Sequence, residues 1–231
     1  MLNNETIKFL KSINSITNSV VLSYPITVGK TESADTAYMF DMSKFDTDGF
    51  DTDLGIYNLS SFLNVFSLFD DSREVNISNN SVSISDKDTK ANYLLSSSEI
   101  LGQFTWNKAQ FDKSEQFPTI LEIDFDSNDI KKLKNASSVF SELDTLILEC
   151  NENTTFSLTT AGEFKQSSNS FSFTKSQQST KNFRVGISLE TIFKIPLNSY
   201  KFIVKYNEAR NAYRIHLNSE NLSMIVSAKN V

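Results

Sequence analysis

Apolar residues recur at helical spacing in two stretches of the chain that match each other position for position. Turned at about 100° per residue, Glu5 to Thr17 places Ile7, Phe9, Leu10, Ile13 and Ile16 on one broad face and Lys8, Lys11, Ser12 and Ser15 opposite. Asp129 to Phe140 repeats the arrangement: Ile130, Leu133, Ala136 and Phe140 form the stripe, and Lys131, Lys134, Asn135 and Ser138 share the polar side. Ile7 aligns with Ile130, Lys8 with Lys131, Leu10 with Leu133, Lys11 with Lys134 and Ser15 with Ser138. Each helix is followed by an apolar run of strand character, Ser19 to Ser23 and Asp144 to Cys150, so the pattern predicts an internal duplication.

Between these helices the period falls to two. Ser19 to Ser23, Ile26 to Thr31, Thr36 to Met42 and Asp53 to Tyr57 read as a meander, separated by Tyr24-Pro25, Thr31-Glu32-Ser33 and the acidic turn Asp46 to Asp51. Asn58 to Asp71 returns to helical spacing through Leu59, Phe62, Leu63, Phe66 and Phe69, with Asn58 as its cap. Strands at Glu74 to Ser78, Ser81 to Ser85 and Ala91 to Leu95 follow. Ser96 to Phe117 has no sustained period and reads as a connector in which Phe104, Trp106, Phe111 and Phe117 need somewhere to pack. The pattern then restarts with a strand at Thr119 to Phe125, the second lysine-bearing helix, and strands near Leu143 to Cys150, Thr155 to Thr159, Ser170 to Thr174 and Asn182 to Ser188. A short helix from Leu189 to Phe193 stops at Pro196, and strands at Tyr200 to Tyr206, Tyr213 to Asn218 and Leu222 to Ala228 close the chain. Gly186-Ile187 matches Gly55-Ile56. The expected organisation is α+β: residues 1–96, a connector 97–117 and residues 118–231, each domain built from two rounds of a helix followed by an antiparallel meander.

Charge changes the picture. With 28 acidic and 22 basic residues, the chain repels nucleic acid unless its lysines are gathered on one surface. Lysines on a polar helix face are ordinary solvation for either helix alone, yet their repetition at equivalent positions is also a means of gathering them. No apolar stretch approaches the length of a membrane span, and MLNNET lacks the basic and apolar regions of a secretory signal. Cys150, the single cysteine, falls in a strand and excludes a disulfide framework, which makes an intracellular compartment the expectation. Asn-x-Ser/Thr triplets at Asn58, Asn76, Asn153 and Asn221 are chance matches in a chain rich in these residues.

Reactive constellations are missing. FDTDGFDTD at residues 45–53 does not fit a calcium loop, since a glycine at the sixth position would put Lys44 at the first. His216 is the only histidine, too little for a zinc site or a histidine-based triad. No phosphate-binding glycine motif occurs, and Glu122 and Asp124 share a strand face as surface alternation commonly arranges. The chain reads as a non-enzyme with no cofactor and no metal.

Two stretches carry a family resemblance: DLGIYNLSSFLNVFSLFDD with REVNISNNSVSISD, Asp53 to Asp86, and Phe117 through the Lys131 helix to Thr160. Together with the first helix they resemble the sliding clamp, or DNA polymerase processivity factor, of large tailed bacteriophages. The match is weakest over Ser96 to Gln116 and the last thirty-odd residues. The resemblance implies a DNA-clamp fold of two similar domains, with helices lining a closed ring around duplex DNA and sheets outside. Six domains per ring would make the assembly a homotrimer, joined by edge pairing of strands, with Tyr93 and Leu95 on one edge and Phe171 and Phe173 on the other.

On that resemblance Lys8, Lys11, Lys131, Lys132, Lys134 and Lys194 face DNA without reading sequence, and a partner pocket involves Phe117, Pro118, Ile225 and Val226. The implied partners are a replicative polymerase docking its C-terminal peptide, an ATP-dependent clamp loader and late transcription factors, in the cytoplasm of an infected bacterial host. The helix at Asn58 to Asp71 has no Lys or Arg, and Glu190 accompanies one lysine on the last helix, so the positive charge is uneven. Two other readings stand beside this one. A β-rich, self-associating phage structural or assembly protein would have no DNA function. A single-strand binder would use Phe104, Trp106 and Phe111 with Lys108 and Lys113, against which Asp112 and Glu115 count.

Overall fold

Helix α1 (Asn4–Ile16) buries Thr6, Ile7, Leu10, Ile13 and Ile16 and leaves Lys8, Lys11 and Ser15 in solvent, as its 3.6-residue period dictates. The structure is a computed structural model that describes the chain apart from residues 1–3, 32, 34, 44–52, 141–142, 152–153, 160–170 and 231. The acidic turn Asp46 to Asp51, and with it most of the calcium-loop comparison, lies outside the described residues. After α1 come β1 (Val20–Leu22), β2 (Ile26–Lys30), β3 (Thr36–Asp41), β4 (Leu54–Ile56), α2 (Leu59–Phe66), β5 (Glu74–Ile77), β6 (Ser81–Ser85) and β7 (Lys90–Leu94). β1 pairs with β4, β2 with β3, and β5, β6 and β7 form a meander, all antiparallel.

Two short helices follow, α3 (Ser98–Leu101), continued by a 3-10 turn at Gly102–Phe104, and α4 (Lys108–Glu115). The second half contains β8 (Thr119–Phe125), α5 (Ser127–Val139), β9 (Thr145–Cys150), β10 (Thr154–Thr159), β11 (Phe171–Lys175) and β12 (Phe183–Ser188). α6 (Leu189–Lys194), β13 (Tyr200–Asn207), β14 (Ala212–Asn218) and β15 (Leu222–Asn230) complete it. The chain divides into two units, Met1–Phe111 and Asp112–Val231, with the division inside α4. Within the second unit eight strands run β11-β10-β9-β12-β15-β14-β13-β8, each antiparallel to its neighbour.

The duplication extends to register. Val20, Val21 and Leu22 face Ile56, Gly55 and Leu54 in the first unit; Leu146, Ile147 and Leu148 face Ile187, Gly186 and Val185 in the second. The residue that starts the second helix of each unit donates its N–H to an equivalent carbonyl, two residues before Val20 and two before Leu146: Leu59 to Asn18 at 2.7 Å and Leu189 to Asp144 at 2.8 Å. The β2–β3 hairpin corresponds to β10–β11, and the β5–β6–β7 meander to β13–β14–β15. Rings fill the second core, with Phe125 stacked on Phe202 at 4.2 Å and edge-on to Phe156 at 4.7 Å.

Two boundaries differ from the pattern. α2 stops at Phe66 rather than Asp71 because the Ser67 hydroxyl donates back to the Asn64 carbonyl at 2.7 Å and the Asp70 carboxylate accepts from the Ser72 N–H at 2.9 Å, closing a turn; Phe69 stays buried without being helical. The connector is largely helical. In α4 Asn107 accepts from the Gln110 N–H at 2.8 Å and its own N–H reaches the Gln110 side chain, a capping box that low apolar content hid from a search for period. Of its four aromatic residues only Phe111 is fully buried, edge-on to Trp106 at 6.0 Å; Phe104, Trp106 and Phe117 are half-buried.

Candidate nucleic-acid interface

Each unit presents one helix with an exposed lysine pair. Lys8 and Lys11 on α1, and Lys131 and Lys132 on α5, are exposed and form no ion pair among the described residues, Lys132 giving only a longer-range attraction to the Asp126 carboxylate. α5 is the better anchored. Asp126 caps it, accepting from the Asn128 and Asp129 N–H groups at 2.8 and 2.9 Å, and Asp129 returns the bond to the Asp126 N–H at 3.1 Å. These bonds, that from the Asp129 N–H first, hold the Asp126 carboxyl below its usual range. Lys175 on β11 reaches the Asp129 carboxylate at 2.5 Å and the Asp124 carbonyl at 2.7 Å, fixing the start of α5 to the sheet.

Lys134 has another task. Its ammonium donates to the carbonyls of Phe193 and Ile195 at 2.9 and 2.6 Å, closing the C-terminal end of α6, and desolvation pushes its pKa below the ordinary lysine range. Lys134 is expected from the sequence to face DNA with Lys11, its aligned partner; Lys11 is exposed, whereas Lys134 is half-buried and bonded to the end of α6. Lys194 is neutralised within its own helix by Glu190 at 2.7 Å. α2 adds no charge and exposes Ser60, Ser61 and Asn64, with Ser60 and Asn14 exchanging hydrogen bonds that tie α2 to α1.

The residues expected to form a partner pocket differ in exposure. Ile225 and Val226 are 3% and 1% exposed, opposite His216 and Ile215 in the sheet, so both belong to the packed interior and neither is open to a peptide. Phe117 is half-buried under the Arg214 guanidinium, 5.3 Å from its ring centroid, and Pro118 is exposed. Sequence reasoning missed the group beside them. Glu115, ending α4, accepts from or shares a proton with His216 Nδ1 at 2.7 Å and pairs with Lys205 at 3.1 Å, while Ser114 accepts from Arg214. His216 and Lys205 are buried, and the bond to His216 is the main cause that draws the Glu115 pKa down to about 2. The available signal was that alternation gathers Lys205, Arg214 and His216 on one sheet face, with Ile203 and Ile225 beside the histidine.

The strands named as edges are terminal in their sheets, β7 beside β6 alone and β11 beside β10 alone. Their side chains are partly committed inward. Tyr93 packs edge-on against Phe62 at 5.0 Å and donates to the Asn58 carbonyl at 2.9 Å, Leu95 is half-buried, and Leu94, 78% exposed, is the apolar residue that β7 turns outward. On β11, Phe173 stacks on Phe156 at 5.2 Å, and Phe171 lies beside Phe173.

This arrangement is the sliding-clamp fold. Proliferating cellular nuclear antigen from Entamoeba histolytica superposes with a TM-score of 0.66 at 14% identity, over 96% of this chain and 94% of that one. The A. fulgidus homologue of that antigen, bound to the C-terminal region of FEN-1, gives 0.64 at 8% identity over 97% and 95%. The Helicobacter pylori beta clamp bound to a DNA ligase peptide gives 0.60 at 12% identity, over 99% of this chain but 65% of that one. No family profile matches the chain, and no curated protein sequence matches it. Among the described residues no helix is long and apolar enough to cross a membrane, and no group of His, Cys, Asp and Glu is placed to hold a metal ion.

Proposed function

We propose that the chain is a DNA sliding clamp, a non-enzymatic ring that encircles duplex DNA and tethers a replicative polymerase. The observation that carries this reading is the likeness to clamp chains over nearly the whole length of both partners, 96% and 94% for the Entamoeba protein. Lys8, Lys11, Lys131 and Lys132 supply what such a ring needs, exposed cations on helices at related positions of two similar units. Phosphate contacts of this kind carry no sequence information, so they hold DNA without pinning the ring to one site. A polymerase linked to a closed ring keeps a high local concentration at the primer end.

Two units per chain support a homotrimer of six units, with the free backbone of β7 pairing with that of β11 in the next copy and Leu94 covered by the contact. The peptides bound in the A. fulgidus and H. pylori structures support docking of a polymerase C-terminal segment. Burial of Ile225 and Val226 favours the half-buried Phe117 and the exposed Pro118 as its contacts. Loading by an ATP-dependent clamp loader, a part in late transcription and action in the cytoplasm of a phage-infected bacterium rest on the sequence resemblance.

The test combines light scattering over a concentration series with retention on nicked circular and linear duplex, clamp loader and ATP present. A three-subunit species that stays on circles and runs off linear ends is the expected result. A monomer at every concentration, or equal retention on both DNAs, would sink the ring and return the assembly-protein reading.

A further inference from the structure

The β13–β14–β15 sheet meets different neighbours on its two faces. Tyr200 and Phe202 look toward the helices: the Tyr200 hydroxyl donates to the Pro196 carbonyl just beyond α6 at 3.0 Å, and Phe202 stacks on Phe125, over whose ring lies the Lys175 ammonium that pairs with Asp129 on α5. Alternation turns Ile203 and Lys205 the other way, and the ladder sets His216 and Arg214 opposite them. The end of α4 lies on this second face, Ser114 against Arg214 and Glu115 against His216 and Lys205.

Charge on the second face does not balance. Glu115 is shared between His216 and Lys205, and Glu122, opposite Ile203, is engaged by Lys201 at 3.6 Å. Arg214 is left with the Ser114 hydroxyl and the Phe117 ring. Arg210 is exposed in the 3-10 turn Glu208–Arg210 that joins β13 to β14, and its like charge adds to desolvation in pushing the Arg214 pKa below the ordinary arginine range. Among the described residues neither guanidinium forms an ion pair, and Glu208, exposed in the same turn, pairs with neither. Folding holds together two cations that repel each other, and a carboxylate placed between them would relieve the repulsion. The approach is open among the described residues: Ser227, opposite Arg214 on β15, and Pro118 are exposed, and so is Lys229, which alternation puts on the same face.

We infer that Arg210 and Arg214 bind a carboxylate of a partner peptide seated on Phe117 and Pro118, so that the docking segment is acidic as well as apolar. The inference rests on the proposal of peptide docking at Phe117 and Pro118, and adds the charge that such a peptide carries. The planar fork of a guanidinium matches a carboxylate with two parallel hydrogen bonds, and Arg214, steadied by Ser114 and the Phe117 ring, is preorganised for it. A duplex is the wrong occupant. Lys131 and Lys132 stand on α5, on the other face of this sheet, and the nearby Glu115 and Glu208 repel a run of phosphates.

Fluorescence anisotropy on the full chain tests it, with a labelled synthetic peptide of about ten residues in which leucine and phenylalanine precede two aspartates and the C-terminus is amidated. Asparagines in place of the aspartates are expected to weaken binding about tenfold at low salt and to remove most of its salt dependence. The asparagine peptide with a free C-terminal carboxylate shows whether the chain end serves in place of a side chain. Arg214→Gln is expected to weaken the aspartate peptide about tenfold, Arg214→Lys less, and Arg210→Gln about threefold. Arg210→Gln lies on an exposed turn and keeps the test decisive if Arg214→Gln fails to fold. Equal affinity for the aspartate and asparagine peptides, both weakened by Phe117→Ala, would overturn the inference and leave peptide docking standing. No binding of either peptide at millimolar concentration would overturn both. Displacement of the aspartate peptide by a short duplex would make this a phosphate site and overturn the inference as well.

Discussion

The Lys134 ammonium lies 2.6 Å from the carbonyl oxygen of Ile195, and this bond separates two lysines that the sequence makes equivalent. Removing it leaves the Phe193 and Ile195 carbonyls at the end of α6 without their donor. Lys134→Met is expected to lower stability by about 1–2 kcal/mol, because it deletes charge-assisted hydrogen bonds at a half-buried site. Lys11→Met is expected to stay within about 0.5 kcal/mol of the parent, since Lys11 is exposed and makes no ion pair among the described residues. Urea denaturation of the two variants side by side checks the difference.

Most of the fold was legible because the core is written in period. The Leu10, Ile13, Leu133 and Val82 positions all follow from spacing, and so does the duplication that Gly55 and Gly186 confirm in register. The site was legible only in part. Spacing gives the face a lysine starts from, not where a long side chain ends, so Lys131 and Lys134 read alike although one is exposed and the other bonded to α6. Ile225 and Val226 illustrate the same limit in a strand. Alternation puts them on opposite faces, and that both faces are covered is a tertiary fact.

Glu115 gives the fold an acid-sensitive point. Its hydrogen bond to His216, then charge interactions with His216 and Lys205, lower its pKa from 4.5 to about 2 against the opposing effect of burial. A carboxylate with a depressed folded-state pKa contributes stability that is present above its unfolded pKa and lost as pH falls through the folded one. The loss therefore falls between about pH 4.5 and about pH 2. Allowing for solvent screening of a carboxylate that is partly exposed, the contribution is about 1–2 kcal/mol. Thermal unfolding across that window should show the parent losing this stability while Glu115→Gln, already less stable at neutral pH, changes less.

Gly55 and Gly102 should respond oppositely to alanine. A Cβ on Gly55 would lie 2.1 Å from the Ser96 carbonyl oxygen and 3.1 Å from Leu101 Cδ1, and backbone rather than a flexible side chain has to yield. The same Ser96 donates its N–H to the Gly55 carbonyl at 2.8 Å, so the shift also strains that bond. Gly55→Ala is expected to cost about 2–3 kcal/mol. Gly102 has φ −55° and ψ −29° with nothing within 4 Å of its Cβ position, so Gly102→Ala is expected to stabilise by about 0.4–1 kcal/mol through the unfolded chain. Denaturant midpoints measured at constant slope would reveal both signs.

If the exposed lysines hold phosphates, the salt dependence of DNA retention counts them. Each phosphate contact adds about 0.9 to the slope of log affinity against log salt. Lys8→Ala, Lys11→Ala, Lys131→Ala and Lys132→Ala should each flatten that slope by about 1 or more, with stability unchanged, because all four side chains end in solvent. Lys194→Ala should leave it nearly unchanged, since Glu190 already cancels that charge within α6. Lys134→Met should change folding and not slope, its ammonium being occupied by the Phe193 and Ile195 carbonyls. Retention on nicked circles over a salt series distinguishes these outcomes. A slope that responds to Lys134 and Lys194 as strongly as to Lys8 and Lys131 would place the DNA-facing surface elsewhere on the helices.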